Sequence, residues 1–117
     1  MVLAVLEGIE NLQVRRTLAR ADLMVVSEVR TAMQLIEVVS QERPDIVVMD
    51  TGIDTMALED LAHGLLADYP TCLILLTDQP NFEVRASLLG ASACLERPYS
   101  GFDLLASLEQ AHTRRRA

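Results

Sequence analysis

The fold of this chain is decided by residues 44–52, which read Pro-Asp-Ile-Val-Val-Met-Asp-Thr-Gly. Four apolar residues run unbroken between Asp45 and Asp50, and a proline and a glycine lie close outside them. A run this short and rich in β-branched side chains predicts a strand that is buried on both faces. Such strands belong to parallel sheets covered by helices. Asp50 ends the run, so we expect its carboxylate at the carboxyl edge of a central strand, where open α/β sheets bind ligands.

The composition indicates a single domain with an aliphatic core. The chain has 117 residues, a typical domain length, and 50% of them are hydrophobic, which is ample for a core. The net charge of −7 argues against direct binding of nucleic acid or an anionic membrane surface, because both need a cationic footprint. No apolar run reaches the length of a membrane span, and the first residues lack a basic signal-peptide segment. Cys72 and Cys94 are therefore expected to be buried, reduced thiols in a cytoplasmic protein.

Hydrophobic periodicity divides the chain into strands and helices that alternate. The predicted strands are 2–6, 23–26, 45–50, 72–77 and 91–96, and the predicted helices are 10–21, 31–42, 57–68, 82–89 and 102–113. Pro44 ends the second helix near Arg43, and Gly90 is the predicted stop of the fourth. The domain is expected to occupy residues 1–113, with 114–117 as a basic tail or the start of a linker.

Alternation with short connections predicts the α/β class, a doubly wound sheet of five parallel strands with helices on both faces. The commonest strand order at this size is 2-1-3-4-5, as in flavodoxin-like folds. Polar residues lie at the carboxyl ends of four predicted strands, and they are Glu7, Asp50, Thr77 and Arg97. All four would open onto the same edge of the sheet. Taken singly, each has an ordinary explanation, and Asp50 in particular could simply cap the turn that follows it.

Three segments in order carry a family likeness: 43–50, Arg-Pro-Asp-Ile-Val-Val-Met-Asp; 73–77, Leu-Ile-Leu-Leu-Thr; and 90–99, Gly-Ala-Ser-Ala-Cys-Leu-Glu-Arg-Pro-Tyr. With these segments the chain resembles, over nearly its whole length, the CheY-like receiver domain of two-component response regulators. The third segment is the most specific, since receivers carry a Gly-Ala segment, a short strand, and Lys-Pro followed by an aromatic residue.

The resemblance implies phosphoryl transfer to Asp50 from the phosphohistidine of a sensor histidine kinase or a phosphotransfer protein. It implies a Mg²⁺ ion, held by Glu7 and Asp50, that neutralises the transferring group. It also implies that Thr77 and Arg97 contact phosphoryl oxygens. Such a domain is not an enzyme beyond its own phosphorylation and dephosphorylation at Asp50, and no catalytic or DNA-binding output element is recognisable within these residues.

The sequence departs from the receiver pattern in three places. Receivers have two adjacent acids after the first strand, whereas this chain has only Glu7, with Glu10 as a second acid that could swing in from the start of a helix. Mg²⁺ needs well-placed oxygens in octahedral geometry, so the metal site is expected to be weakened. Arg97 stands in place of the usual lysine, and its planar, forked guanidinium is larger than the compact charge of a lysine ammonium. Asp54 stands where receivers usually have a proline.

Two other interpretations of the function remain. The chain could be a pseudo-receiver, with the same fold serving interaction or dimerisation without phosphorylation, or a small flavodoxin-like cofactor binder. In receivers the usual partner surface is helix 4, strand 5 and helix 5, and the corresponding switch and interface residues are Cys94, Tyr99 and Phe102. A homodimer through that surface is predicted. Because Cys94 replaces the switch aromatic, the usual ring rotation beside Thr77 cannot occur, which favours the pseudo-receiver.

Overall fold

The computed structural model describes residues 2–4, 8–23, 25, 27–52, 58–67 and 71–116, where five strands alternate with five helices. The strands are β1 (Val2–Ala4), β2 (Ser27–Val29), β3 (Ile46–Asp50), β4 (Cys72–Thr77) and β5 (Ala93–Glu96). The helices are α1 (Gly8–Arg20), α2 (Ala32–Glu42), α3 (Leu58–Ala67), α4 (Glu83–Leu88) and α5 (Gly101–Arg116). None of the helices in these ranges combines the length and apolar composition that crossing a membrane would require.

The sheet is parallel throughout, and its strand order is β2-β1-β3-β4-β5. This confirms the predicted fold class and strand order. β3 lies between β1 and β4, with Val47 beside Val2 and Asp50 beside Leu76. The first four residues of β3 are buried, as expected for a strand covered by helices on both faces.

Alternate residues of the central strands pack into two separate cores, because successive side chains of a strand point to opposite faces. On one face, Val47 and Met49 pack among residues of α2, α3 and α4. On the other face, Ile46 and Val48 pack among residues of α1 and α5. This alternation produces three layers, with the sheet between two layers of helices. Asp50 has the same parity as Ile46 and Val48, which directs its carboxylate toward the α1–α5 side.

Local chemistry explains where several helices begin and end. The hydroxyl of Thr31 accepts a hydrogen bond from the backbone N–H of Gln34 at 3.1 Å, the usual N-terminal cap for α2. Arg43 is left-handed, with φ 46°, and closes the same helix. Gly90 has φ +86°, and a Cβ there would lie 2.9 Å from Cδ1 of Leu66. The predicted stop of α4 is thus confirmed, since only glycine suits both that conformation and that close approach.

The second strand was predicted in the wrong place. Leu23 and Val25 are not part of a strand, and β2 begins instead at Ser27. These two apolar residues pack, half-buried, against the core formed with α1 and α5. β2 is an edge strand that pairs only with β1, so it needs few apolar residues, and Val29 buries against the opposite core. The described residues of the predicted strand therefore lie in a half-buried connection ahead of β2, and Met24 and Val26 lie outside the described residues.

The last helix is longer than predicted. Ser100 and Asp103 cap it reciprocally, because each side chain accepts a hydrogen bond from the backbone N–H of the other, at 3.0 and 3.2 Å. The helix then continues through Arg116 and so includes residues 114–116. That residues 114–117 are a basic tail or the start of a linker stays a prediction.

Candidate functional site

The carboxyl edge of the sheet carries three of the predicted site residues on neighbouring strands. Asp50 is the last residue of β3, Thr77 is the last residue of β4, and Arg97 directly follows β5. The parallel register places Asp50 beside Leu76 and Thr77 beside Glu96. Neighbouring parallel strands therefore deliver all three residues to one edge, where α/β sheets assemble their sites.

Both carboxylate oxygens of Asp50 are engaged. Oδ1 accepts a hydrogen bond from the backbone N–H of Gly52 at 2.6 Å, so the turn-capping role is real. Oδ2 forms an ion pair with Nη2 of Arg97 at 2.5 Å. A Cβ at Gly52 would lie 3.1 Å from Oδ1, so any larger residue would crowd this oxygen. Asp50 thus combines a structural bond with a charged contact at an edge that solvent still reaches.

Arg97 connects β5 to three other parts of the chain. Its Nε and Nη2 donate to Glu10 at 2.8 and 2.9 Å, Nη2 also bonds Asp50, and Nη1 lies 3.6 Å from Asp78. The hydrogen bond to Glu10, with the negative charges of Asp50 and Glu10, raises the pKa of Arg97. The guanidinium therefore stays charged at every accessible pH. We call Arg97, Glu10, Asp50, Asp78 and Tyr99 the Arg97 cluster.

Glu10 and Tyr99 form the far side of this cluster. Glu10 lies in the first turn of α1, and its Oε2 accepts the hydroxyl hydrogen of Tyr99 at 2.8 Å. Burial alone would favour the neutral acid, but the bonds from Arg97 and Tyr99 outweigh it and lower the pKa of Glu10. Burial, and then the bond to Glu10, raise the pKa of the Tyr99 phenol, which remains a neutral donor.

The sequence offered only a faint signal for this pairing. Glu10 is a second acid shortly after Glu7, and this spacing predicts only a group that could swing in from the start of a helix. Nothing in the sequence linked it to Tyr99 or Arg97.

Thr77 belongs to a small neutral network on the same edge. Its side chain is fully buried, and its hydroxyl oxygen accepts hydrogen bonds from the hydroxyl of Thr51 and from the backbone N–H of Gln79, each at 3.0 Å. A hydroxyl carries one donor hydrogen that rotates to suit its partners, so Thr77 can direct its proton to Thr51 or to another acceptor at this edge. Sequence reasoning missed Thr51, whose position directly after Asp50 was the available signal.

Solved structures match this architecture closely. The response regulatory domain of protein mrkE from Klebsiella pneumoniae has a TM-score of 0.83, with 97% of this chain and 95% of that chain covered at 16% identity. A LuxR-family two-component response regulator from Aurantimonas sp. SI85-9A1 has a TM-score of 0.81, with 92% and 80% covered at 22% identity. The signal receiver domain of the response regulator NarL from Mycobacterium tuberculosis has a TM-score of 0.76, with 95% and 94% covered at 21% identity.

The chain has the CheY-like receiver fold. No protein-family model matches the sequence, and no curated protein matches it. The likeness is one of fold, and fold alone does not establish function. The function of this receiver fold therefore depends on the chemistry of the Arg97 cluster and the residues around it.

The described residues of this receiver fold do not fit a magnesium ion. Glu7 and Asp54, the acids expected beside Asp50, lie outside the described residues. Within the described ranges, no three His, Cys, Asp or Glu side chains are placed to hold a metal ion. Mg²⁺ requires several oxygens in near-octahedral positions, whereas Asp50 and Glu10 both direct oxygens to the guanidinium of Arg97. A magnesium site involving Glu7 stays a prediction.

The three residues predicted for a switch and partner surface occupy different environments. Cys94 packs half-buried against the core formed with α2, α3 and α4, and burial followed by the charges of Glu83 and Glu96 raises the pKa of its thiol. Tyr99 packs against the opposite core, with α1 and α5. Phe102 is 80% exposed at the start of α5. Cys94 and Tyr99 thus pack against opposite cores, and the switch and interface role of the three residues stays a prediction.

The predicted homodimer surface has other exposed apolar residues. Val84 and Leu88 of α4 are 73% and 84% exposed. A dimer through α4, β5 and α5 stays a prediction, and Val84, Leu88 and Phe102 are exposed apolar residues that could contribute to its contact.

Proposed function

We propose that this chain is a two-component receiver domain that accepts a phosphoryl group on Asp50 from a phosphohistidine of a kinase or phosphotransfer protein. The observation that carries the proposal is the placement of Asp50. Its carboxylate ends the central strand at the ligand-binding edge of the sheet, and a guanidinium contacts it at 2.5 Å. The receiver fold supports the same role.

The proposed step is a transfer between two protein side chains. A carboxylate oxygen of Asp50 attacks phosphorus and forms an O–P bond, while the P–N bond to the donor imidazole breaks. The electron pair of that bond stays on the imidazole nitrogen, which takes up a proton. The product is an acyl phosphate on Asp50 and a neutral histidine on the donor.

The neighbours of Asp50 suit the charge that develops on the phosphoryl oxygens. Arg97 offers a planar fork of donors that matches phosphate oxygens, and it stays protonated. Thr77 offers a hydroxyl proton on the neighbouring strand, held in place by Thr51 and Gln79. Catalysis of phosphoryl transfer depends mostly on such positioning and electrostatic stabilisation.

Intact-mass measurement tests this proposal directly. The chain is incubated with acetyl phosphate, once with MgCl₂ and once with EDTA. We expect a gain of one phosphoryl group on the wild type and none on Asp50→Asn. Asp45→Asn is the matched control, because Asp45 is an exposed aspartate just before the same strand, and it should gain as the wild type does. No gain on the wild type under either condition, or an equal gain on Asp50→Asn, would refute phosphorylation at Asp50.

A second function, the phosphorylation-independent interaction module, is favoured by one observation. Arg97 already bonds Asp50, and Glu10 holds the same guanidinium with two hydrogen bonds. A phosphoryl group would have to enter a site whose charges are already paired.

Partner binding distinguishes the two functions. If the chain is an interaction module, Asp50→Asn should leave partner affinity and oligomeric state unchanged. Sedimentation of the wild type and the variant, with and without acetyl phosphate, measures both. If the chain is a receiver, acetyl phosphate should change partner affinity or oligomeric state in the wild type alone.

A further inference from the structure

The guanidinium of Arg97 lies among carboxylates on every side that carries a nitrogen. Nε faces Glu10, Nη2 faces both Glu10 and Asp50, and Nη1 faces Asp78. One oxygen of Glu10 and one of Asp50 bond the same nitrogen, Nη2. These two carboxylates are therefore close enough to repel each other strongly unless a cation lies between them. In this structure that cation is a side chain.

The guanidinium is held in place from several directions. The backbone N–H of Arg97 donates to the carbonyl oxygen of Thr77 at 2.8 Å, which fixes the start of its side chain. At the other end, Tyr99 donates to Glu10, so the carboxylate that grips the guanidinium is itself held. The side chains of Arg97, Asp50 and Glu10 are only 20%, 20% and 26% exposed, so water screens their charges incompletely.

This arrangement leaves few carboxylate oxygens of the described residues free to bind a divalent ion. The described carboxylates of the site do not form a metal-binding group, and both oxygens of Glu10 and Oδ2 of Asp50 accept hydrogen bonds from Arg97. A metal ion that used the oxygens of Glu10 and Oδ2 of Asp50 would have to compete with the guanidinium, which is tethered to the chain and donates two hydrogen bonds to Glu10.

We propose that Arg97 is the resident cation of this site: its guanidinium, positioned by Glu10 and Tyr99, neutralises Asp50 in place of a divalent metal ion. The inference is independent of whether Asp50 accepts a phosphoryl group. It has two consequences. The native chain should not be stabilised by divalent cations, and removing the guanidinium should expose carboxylates that can bind one.

Thermal unfolding of the full chain tests both consequences. The Tm is measured in EDTA and in millimolar MgCl₂ or MnCl₂, against NaCl of equal ionic strength to remove general screening. We expect no metal-dependent change for the wild type. Arg97→Met should have a lower Tm in EDTA and should regain stability as MgCl₂ or MnCl₂ is added, because a ligand that binds only the folded state raises Tm with its concentration.

Two controls locate the effect. Arg97→Met combined with Asp50→Asn should lose the metal-dependent gain, because a carboxylate of the exposed cluster is gone. Arg85→Met removes a guanidinium from a surface ion pair with Glu59 and should show no metal-dependent gain at all.

Specific outcomes would overturn the proposal. A wild-type Tm that rises with MgCl₂, with the rise abolished by Asp50→Asn, would show that a metal ion binds beside Arg97. An Arg97→Met protein that folds and gains nothing from either metal would show that the guanidinium does not fill a cation site. If Arg97→Met does not fold, Arg97→Lys serves instead, and unchanged stability in EDTA would refute the role of the bidentate fork. Failure of phosphorylation leaves each of these results unaffected.

Discussion

Arg97 and Arg85 make the same kind of contact in two regions of the molecule. Each directs Nε and Nη2 at a glutamate on another element, Glu10 on α1 for Arg97 and Glu59 on α3 for Arg85. Arg97 bonds both oxygens of Glu10, whereas both nitrogens of Arg85 bond a single oxygen of Glu59. The surroundings differ. The Arg97 and Glu10 side chains are 20% and 26% exposed, whereas those of Arg85 and Glu59 are 47% and 58% exposed. Identical groups therefore act in a half-buried cluster in one region and in near-bulk water in the other.

The difference teaches that the exposure of an ion pair to water decides how much the pair contributes. Water and salt screen the α3–α4 pair, and such surface pairs contribute little. Arg85 adds a cation–π contact, 5.4 Å from the centre of the Phe82 ring, that stays at the surface. At the sheet edge, Arg97 has two further carboxylates and poor access to water. Removing it would leave like charges together, which is the costly case.

The largest expected effect in this comparison comes from Arg97→Met. It should destabilise the chain by about 2 kcal/mol, because Asp50 and Glu10 lose the cation between them while half-buried. Urea unfolding at neutral pH and low salt measures the change. A loss that is no larger than that of Arg85→Met would show that the two regions are energetically equivalent after all.

Glu10→Gln gives the next largest effect, and its signature is pH dependence. The folded-state pKa of Glu10 lies below its ordinary value of 4.5, so the unfolded chain binds the proton first. Its stabilising contribution is complete above that value and disappears as the pH falls through the lowered folded-state pKa. Stability curves between neutral and acid pH should therefore fall less steeply for Glu10→Gln than for the wild type. The slopes should not differ above the ordinary pKa.

Tyr99→Phe should cost about 1 kcal/mol, because it removes a hydrogen bond to a charged group and leaves the ring in place. The raised pKa of Tyr99 predicts that its phenol ionises above its ordinary value of 10.0. Ultraviolet titration of tyrosinate should thus lose, in the variant, one step that lies above the ordinary value. A wild type whose tyrosines all ionise at the ordinary value would contradict the bond to Glu10.

The smallest effect is expected for Glu59→Gln, the matched change in the exposed pair. Its contact with Arg85 lowers the pKa of Glu59, but both groups are open to solvent. We expect an unfolding midpoint indistinguishable from that of the wild type. A destabilisation as large as that of Glu10→Gln would remove the distinction between the two regions.

The sequence predicted the central strands best, because β3 and β4 are buried on both faces and read as unbroken apolar runs. It failed at the edge of the sheet, where Leu23 and Val25 are apolar for a different reason, namely packing beneath α1 and α5. The same limit applies to the site. Asp50, Thr77 and Arg97 were found because each marks a strand end, whereas Glu10 gave no comparable signal.

By itself, the sequence determined an α/β chain with an acidic group at the end of its central strand, because alternation and strand ends are local properties that periodicity records. Only the tertiary structure decided which groups surround that acid. Arg97 and Tyr99 reach Glu10 across separations of 87 and 89 residues, through the packing of α1 and α5 on the same face of the sheet. Side-chain charge pairing depends on distances of a few ångströms, and these distances are set by packing rather than by spacing along the chain.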